Sequence, residues 1–134
     1  MSLNIHVELK EGYLYLLVEG TYDYPSLVNL SDISLKACAE HHVSKVLVDF
    51  RKMVGLPTDS ERYAFAEQAA MKHDAMVAVG KIKRCRFAYL ALSIQEDRKK
   101  LVETVSVNRG MLTIVTTDMK VALDWLVVEP EHTN

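Results

Sequence analysis

The fold of this chain is decided by the stretch Lys45-Val46-Leu47-Val48-Asp49-Phe50, Arg51-Lys52-Met53-Val54-Gly55-Leu56-Pro57, Thr58-Asp59-Ser60-Glu61-Arg62-Tyr63. The apolar run at its start is typical of a central strand that is covered on both faces. The next seven residues read as a polar loop. Thr58 and Glu61 then match the capping box that begins many helices. Because ligands and partners of open α/β sheets usually bind where such a strand ends, we expect the working surface of the protein here.

Asp49 interrupts the apolar run near the end of the predicted strand. Binding and catalytic side chains gather at this position in α/β folds, so Asp49 is a candidate for either role. A more common role for such a residue is a solvated strand end, or a hydrogen bond that organises the following loop. The sequence leaves these alternatives open.

Length and composition indicate a single domain over residues 1–134. Of the 134 residues, 49% are hydrophobic and 25% are charged, so the chain can bury a core without disulfides or metal. The formal net charge of −2 gives no reason to expect nucleic acid, which normally calls for a basic excess. We find no leader-like segment and no apolar run near the roughly 18 residues of a membrane span. We therefore expect a cytoplasmic domain.

The two cysteines, Cys38 and Cys85, lie in apolar segments and show no metal-binding spacing. We interpret them as buried free thiols, and we predict neither a metal nor a cofactor. Four basic residues at 81, 83, 84 and 86 form a local cluster. Such a cluster could hold an anion, although it more often marks a solvated entrance to a strand.

The segments before the opening stretch predict a hairpin and a helix. Apolar and polar residues alternate over residues 5–9, and Gly12 suits a tight turn before a second, more apolar arm over residues 13–20. Residues 21–25 read as a turn-like connector. From Ser26 to His42, apolar residues recur at steps of three and four, which predicts a helix.

The segments after the stretch alternate between helix and strand. The helix that begins at Thr58 runs to about Val77, and a strand covers residues 85–92. A second capping box at Ser93 and Glu96 opens a third helix that ends at Gly110, and a last strand over residues 111–116 precedes a final helix. The order is β-β-α-β-α-β-α-β-α. It predicts an α/β fold with a mixed five-stranded sheet and four helices, in which only the first hairpin is antiparallel.

Three parts of the sequence together resemble a known family. They are Val46-Leu47-Val48-Asp49-Phe50-Arg51 with Gly55, Glu61-Arg62-Tyr63-Ala64, and Asp118-x-x-x-Ala122-x-x-Trp125-Leu126. They resemble the SpoIIAA-like proteins, which are relatives of the STAS domain (sulfate transporter and anti-sigma-factor antagonist) and are also described as STAS/SEC14-like. The resemblance covers nearly the whole chain. It implies a STAS/SpoIIAA-like fold and a bacterial regulatory protein that binds rather than catalyses.

The resemblance also implies a possible phosphoacceptor. Anti-sigma-factor antagonists carry an Asp-Ser-Ser-Gly-like motif before the second helix, and its first serine accepts a phosphate from a partner kinase. The nearest match here is Asp59-Ser60, which makes Ser60 the candidate. Glu61 and Arg62 stand where the motif has its second serine and glycine, so the match is partial. A phosphate would suit the start of a helix, but the carboxylates of Asp59 and Glu61 would oppose it.

Our first functional hypothesis is a non-catalytic regulatory module that acts through protein–protein interaction. Its working surface would be the loop Arg51 to Ser60 with the helix start behind it, and the apolar excess on the second helix suggests a homodimer. The sequence contains no Gly-rich phosphate loop, metal spacing or nucleophile elbow. The candidate binding residues are Asp49, Arg51, Thr58, Asp59, Ser60, Arg62 and Tyr63.

Two alternatives remain open. The SEC14-like association suggests a pocket for a small apolar or lipid-like ligand, lined by Tyr22, Tyr24, Tyr63 and Phe65, although aromatic residues at such places are more often plain core. The other alternative is an enzyme in which Asp49, Ser60, Tyr63 and His73 converge. Ser60 and His73 lie thirteen residues apart on one predicted helix, or about 20 Å along its axis. We therefore predict that the protein is not an enzyme.

Overall fold

The computed structural model describes residues 3–93, 102–104, 106 and 110–127. The strands are β1 (Leu3–Leu9), β2 (Leu14–Thr21), β3 (Lys45–Val54), β4 (Arg86–Leu90) and β5 (Leu112–Thr116). The helices are α1 (Tyr24–His41), α2 (Asp59–Ala78), α3, whose described residues are 102–104 and 106, and α4 (Met119–Leu126). The predicted α/β class, element order and mixed five-stranded sheet are confirmed.

The strands lie side by side in the order of the chain, from β1 to β5. β1 pairs antiparallel with β2, and every later neighbouring pair is parallel. A tight turn can join antiparallel strands, whereas each parallel pair needs a crossover, which the helices provide. The carboxyl ends of β2, β3, β4 and β5 therefore meet at one edge of the sheet.

Two apolar cores lie on opposite faces of this sheet. The larger packs the sheet against α1 and α2, and Val46 and Val48 are its contribution from β3. The smaller core contains Leu47 and is covered by Ala122 and Leu126 of α4. This alternation follows from the period of two along a strand, and the continuous apolar run of β3 reflects burial on both faces.

β3 is longer than the sequence pattern predicts. We expected the strand to end near Phe50 and a polar loop to follow from Arg51 to Pro57, but the strand continues to Val54. The register with β2 shifts after Asp49, where one extra residue of β3 forms a bulge. The bulge allows both Phe50 and Met53 to pack against the larger core. The predicted loop is thereby reduced to the residues that separate Val54 from Thr58.

Helix α1 begins two residues earlier than predicted. The side chain of Asp23 accepts a hydrogen bond from the backbone N–H of Ser26 at 2.9 Å, and Pro25 occupies the first turn. An aspartate at the cap and a proline just inside are favourable because the first N–H groups of a helix lack partners within it. Tyr24 and Pro25 therefore belong to the helix and not to the connector that we predicted.

The inner face of α2 also differs in part from the prediction. Tyr63, which the aromatic-cleft hypothesis placed in the lining of a pocket, is 47% exposed. His73 is fully buried instead, and its Nε2 accepts a hydrogen bond from the backbone N–H of Cys85 at 2.9 Å. Cys38 and Cys85 are buried free thiols, as predicted.

In the carboxyl-terminal part of the chain, Arg86 connects β4 to α4. Its guanidinium donates to the backbone carbonyl of Trp125 at 2.7 Å and lies 4.3 Å from the centre of the Trp125 ring. Part of the predicted basic cluster thus has a structural role, since it holds α4 against β4. Glu96 of the second predicted capping box lies outside the described residues, as does most of the predicted third helix.

None of the helices in the described ranges is both long enough and apolar enough to cross a bilayer.

Candidate functional site

A cavity opens at the carboxyl ends of β3 and β4, beside the start of α2. Its volume is about 410 Å³, which lies within the range of roughly 300–1,000 Å³ that is usual for small-molecule pockets. Its lining is mostly apolar. The buried rings of Phe65 and Tyr89 belong to its wall, whereas Leu56 and Leu92 at its rim are 67% and 72% exposed.

Aromatic rings form the inner wall of the cavity. The Tyr89 ring lies 5.8 Å from the ring of Phe50 and 6.2 Å from that of Phe65, measured between centroids. Such tilted arrangements are the favoured geometry of aromatic pairs. Tyr89 is only 6% exposed, and its burial raises the pKa of its hydroxyl. Among the residues that the structure describes, none forms a hydrogen bond with this hydroxyl.

The start of α2 is held by the predicted capping box. The backbone N–H of Glu61 donates to the Thr58 hydroxyl at 3.1 Å, and the Glu61 carboxylate accepts from the backbone N–H of Thr58 at 2.9 Å. This second bond, with one from the hydroxyl of Tyr22, keeps the pKa of Glu61 below its ordinary value. The helix start is therefore ordered by its own residues.

Tyr22 connects this helix start to the end of β3. Its backbone N–H donates to the carbonyl of Val54 at 2.8 Å, and its hydroxyl donates to Glu61 at 2.9 Å. Burial and the neighbouring Glu61 raise the pKa of the Tyr22 hydroxyl. Gly55 follows with φ of +93°, a conformation that L side chains rarely adopt. The segment between Val54 and Thr58 is thus fixed at both ends.

Of the predicted site residues around the start of α2, Arg62 lines the cavity. Its side chain is only 14% exposed and pairs with Asp59 at 3.3 Å. Ser60 lies exposed in the first turn of the helix, beside the exposed Asp59 and one turn before Tyr63. Thr58, Asp59, Ser60, Arg62 and Tyr63 therefore form one continuous surface.

Asp49 and Arg51 lie on the other face of the sheet. Asp49 is 2% exposed and accepts hydrogen bonds from the Tyr15 hydroxyl at 2.7 Å and from Arg51 Nε and Nη2 at 3.0 and 2.9 Å. Tyr15 packs against the core beneath α4. Burial disfavours the Asp49 carboxylate, but the bonds from Arg51 and Tyr15 outweigh it, so its pKa lies below the ordinary value. This pair lies at the bulge within β3.

The other predicted groupings do not form. Of the four aromatic residues expected in a cleft, only Phe65 lines the cavity, whereas Tyr22 and Tyr24 pack against the larger core. The polar groups of the hypothetical enzyme are also separate, because Ser60 is exposed and His73 is completely buried. In the described ranges, no three histidine, cysteine or acidic side chains are arranged to hold a metal ion.

Several cavity residues escaped the sequence analysis. Met53 was assigned to the loop, and Tyr89 and Val115 were read only as members of strands. Alternation along a strand shows which side chains share a face, but it does not show where that face is left uncovered by a helix. The signal available in the sequence was the apolar character of Leu56 and Leu92, which follow β3 and β4. In the structure both side chains are exposed.

Neither the family models nor the curated proteins contain a match to this chain. Among solved structures, an anti-sigma factor antagonist from Mycobacterium paratuberculosis is 15% identical, with a TM-score of 0.57 over 95% of this chain and 96% of that chain. An uncharacterised protein with a SpoIIAA-like fold from Shewanella loihica is 19% identical, with a TM-score of 0.51 over 92% of this chain and 93% of that chain. This chain therefore has the predicted SpoIIAA-like, STAS-type fold.

Proposed function

We propose that this domain is a non-catalytic binding module that acts through protein–protein interaction. Its binding region is residues 54–63, which we call the strand-end surface. The observation that carries the proposal is the exposure of Val54 and Leu56, at 66% and 67%, in a segment that is fixed on both sides. Apolar side chains that are held exposed beside charged ones are typical of surfaces that bind another protein.

The order of the strand-end surface supports this proposal. Tyr22 and the capping box hold the segment before a partner arrives, so little conformational entropy is lost on binding. The exposed ring of Tyr63 extends the surface along α2, and aromatic residues are enriched at interfaces. The anti-sigma factor antagonist that shares the fold is by its name a regulatory protein, and this supports a regulatory role here.

The test is a comparison of Leu56→Asp with Leu9→Asp as baits in lysate from the native host. Leu56 lies in the strand-end surface, whereas Leu9 is 50% exposed at the opposite edge of the sheet. Burying an aspartate at an interface is unfavourable, so we expect a partner that is retained by the wild type and by Leu9→Asp to be reduced about tenfold or more with Leu56→Asp. Ser60→Ala is expected to retain it. Equal retention by Leu56→Asp would contradict the proposal.

Ser60 remains a proposed phosphoacceptor within the same surface. Its exposure in the first turn of α2 supports access by a kinase, and the helix dipole favours an anion there. Asp59 and Glu61, on either side, oppose the added charge.

The homodimer also remains a proposal. Tyr63 and Met71 are 47% and 55% exposed on α2. Residues eight apart lie about 80° apart around a helix, so a second copy of the chain could cover both side chains.

The second candidate function is binding of a small apolar ligand. The cavity of about 410 Å³ beneath the strand-end surface favours it, since its lining combines aromatic and aliphatic side chains with the polar Arg62 and Ser93. Ligand pockets commonly have this composition. Gly55, Leu56 and Pro57 border both the cavity and the exterior, so a ligand would lie directly behind the proposed protein-binding residues.

A further inference from the structure

The hydroxyl of Tyr89 is an unused polar group in the wall of the cavity. Tyr89 is 6% exposed, and the rings of Phe50, Phe65 and Phe87 lie within 6.2 Å of its ring. No partner for its hydroxyl is found in the described part of the chain. The three neighbouring aromatic side chains cannot accept a conventional hydrogen bond.

Tyrosine hydroxyls in apolar surroundings usually have a hydrogen-bond partner. The Tyr89 hydroxyl is not completely enclosed, because it is absent from the fully buried, unpartnered side-chain atoms of the described residues, which are Gln68 Oε1, His73 Nδ1 and Ser106 Oγ. It therefore keeps some access, and Tyr89 lines the cavity. The contrast with Tyr15 and Tyr22 is informative, since their hydroxyls bond to Asp49 at 2.7 Å and to Glu61 at 2.9 Å. Both of those tyrosines lie away from the inner wall of the cavity. Tyr89 alone of these three lines it.

We propose that the cavity binds a small, mostly apolar molecule with one uncharged hydrogen-bond acceptor, such as a ketone or ester carbonyl, and that Tyr89 donates to this acceptor. The inference rests on the second candidate function and adds the chemistry of the ligand. The apolar part would contact Phe50, Met53 and Phe65, and the acceptor would complete the hydrogen bonding of the hydroxyl.

An uncharged acceptor fits this position better than a carboxylate. The ring contacts of Tyr89 are all aromatic, and an ion placed among them would lose its hydration without gaining a counter-ion. Among the lining residues that the structure describes, Arg62 is the basic one, and it is already paired with Asp59 at 3.3 Å. A ligand with a negative charge would have to compete with that pair.

Tyr89 also borders a second, smaller cavity of about 10 Å³ between α1 and the sheet. This volume is near the lower limit for one water molecule. If the hydroxyl is satisfied by a water there, ligands in the larger cavity will gain nothing from Tyr89. The contribution of the Tyr89 hydrogen bond to the affinity must therefore be measured separately from the contribution of the apolar part of the ligand.

The test uses two probes with the same number of heavy atoms, 2-acetylnaphthalene and 2-isopropenylnaphthalene, with the wild type and Tyr89→Phe. Only the first probe has a carbonyl. A neutral hydrogen bond is worth roughly 0.5–1.5 kcal/mol, so we expect Tyr89→Phe to lower the ratio of ketone affinity to hydrocarbon affinity about two- to tenfold. The affinity for 2-isopropenylnaphthalene should stay unchanged. Equilibrium dialysis with chromatographic quantification measures all four affinities.

A second substitution shows whether the two probes bind in this cavity. Ala91 is half-buried and lines the cavity, so Ala91→Trp should reduce binding of both probes. An affinity ratio that is the same in the wild type and in Tyr89→Phe would overturn this inference without overturning the ligand function of the cavity. Failure of both probes to bind, or binding unaffected by Ala91→Trp, would overturn the ligand function as well.

Discussion

At the scale of single residues, the carboxylate of Asp49 is engaged by its own neighbours. The sequence placed it at the end of a central strand, where functional carboxylates are frequent. In the structure its oxygens accept from Arg51 and Tyr15, and 2% of the residue is exposed. A carboxylate so fully engaged orders the bulge that follows it within β3.

Asp49→Asn is expected to lower the free energy of unfolding by about 2–3 kcal/mol, because hydrogen bonds to a charged group contribute roughly 1.5–3 kcal/mol. The matched control is Asp32→Asn, since Asp32 forms an exposed ion pair with Lys72 at 3.0 Å. Exposed pairs typically contribute less than about 1 kcal/mol. Urea unfolding at neutral pH measures both, and equal effects would contradict the structural role of Asp49.

Asp49 should also contribute to acid sensitivity. Its pKa in the folded protein is lowered, so the folded state favours the ionised form more than the unfolded state does. This contribution is complete above the unfolded pKa of about 3.9 and is lost as the pH falls through the lower folded pKa. The stability difference between the wild type and Asp49→Asn should therefore shrink below about pH 4. A difference that grows in acid would contradict this assignment.

At the scale of elements, the start of α2 is the best-defined feature of the strand-end surface. Thr58 and Glu61 satisfy each other's backbone N–H groups, and Tyr22 ties this cap to the hairpin arm β2. The same helix start presents Ser60 outward. The surface that we propose for binding is therefore ordered by a local cap and by the long-range contacts of Tyr22.

Thr58→Ala is expected to reduce the free energy of unfolding by about 1 kcal/mol, as is usual for loss of a helix cap. Ser60→Ala, two residues further on, should change it by less than about 0.5 kcal/mol, because the Ser60 hydroxyl is exposed and bonds to none of the described residues. Denaturant unfolding of the two variants compares them directly. A larger effect of Ser60→Ala would show that its hydroxyl has a structural role.

At the scale of the whole molecule, one sheet separates two cores of unequal size. α1 and α2 cover the larger core, and among the described helices α4 covers Leu47, Ala88 and Leu90 on the other face. α4 is short, with eight residues, so its stability depends on packing and on the bond from Arg86 to Trp125.

Leu126→Ala should therefore cost about 3 kcal/mol, within the usual range for a fully buried leucine. Leu9→Ala is the control, because Leu9 is 50% exposed while Leu126 is completely buried. The single tryptophan of the chain, Trp125, lies in α4 and reports this helix by fluorescence, while circular dichroism reports the whole fold. In the wild type both signals should change at the same urea concentration. Unfolding of α4 before the rest would contradict its role in the shared core.

The sequence by itself determined the elements and their order. The apolar run at Val46 to Val48, the cap at Thr58 and the glycine turns are local signals, since each depends on residues within a few positions. The regular helical connections then implied a parallel sheet after the first hairpin. The resemblance to SpoIIAA-like proteins pointed to the same fold, which the structural likenesses confirm.

Only the tertiary structure decided the site. The bulge in β3 that turns Met53 toward the larger core depends on pairing with β2, which lies more than thirty residues earlier. The side of the sheet that Asp49 faces, and the empty space beside Tyr89, depend on which helices cover each face. A cavity is a place where packing is incomplete, and packing is a property of many distant residues together. For that reason the sequence indicated the strand end as a binding region, but it did not reveal the pocket behind it.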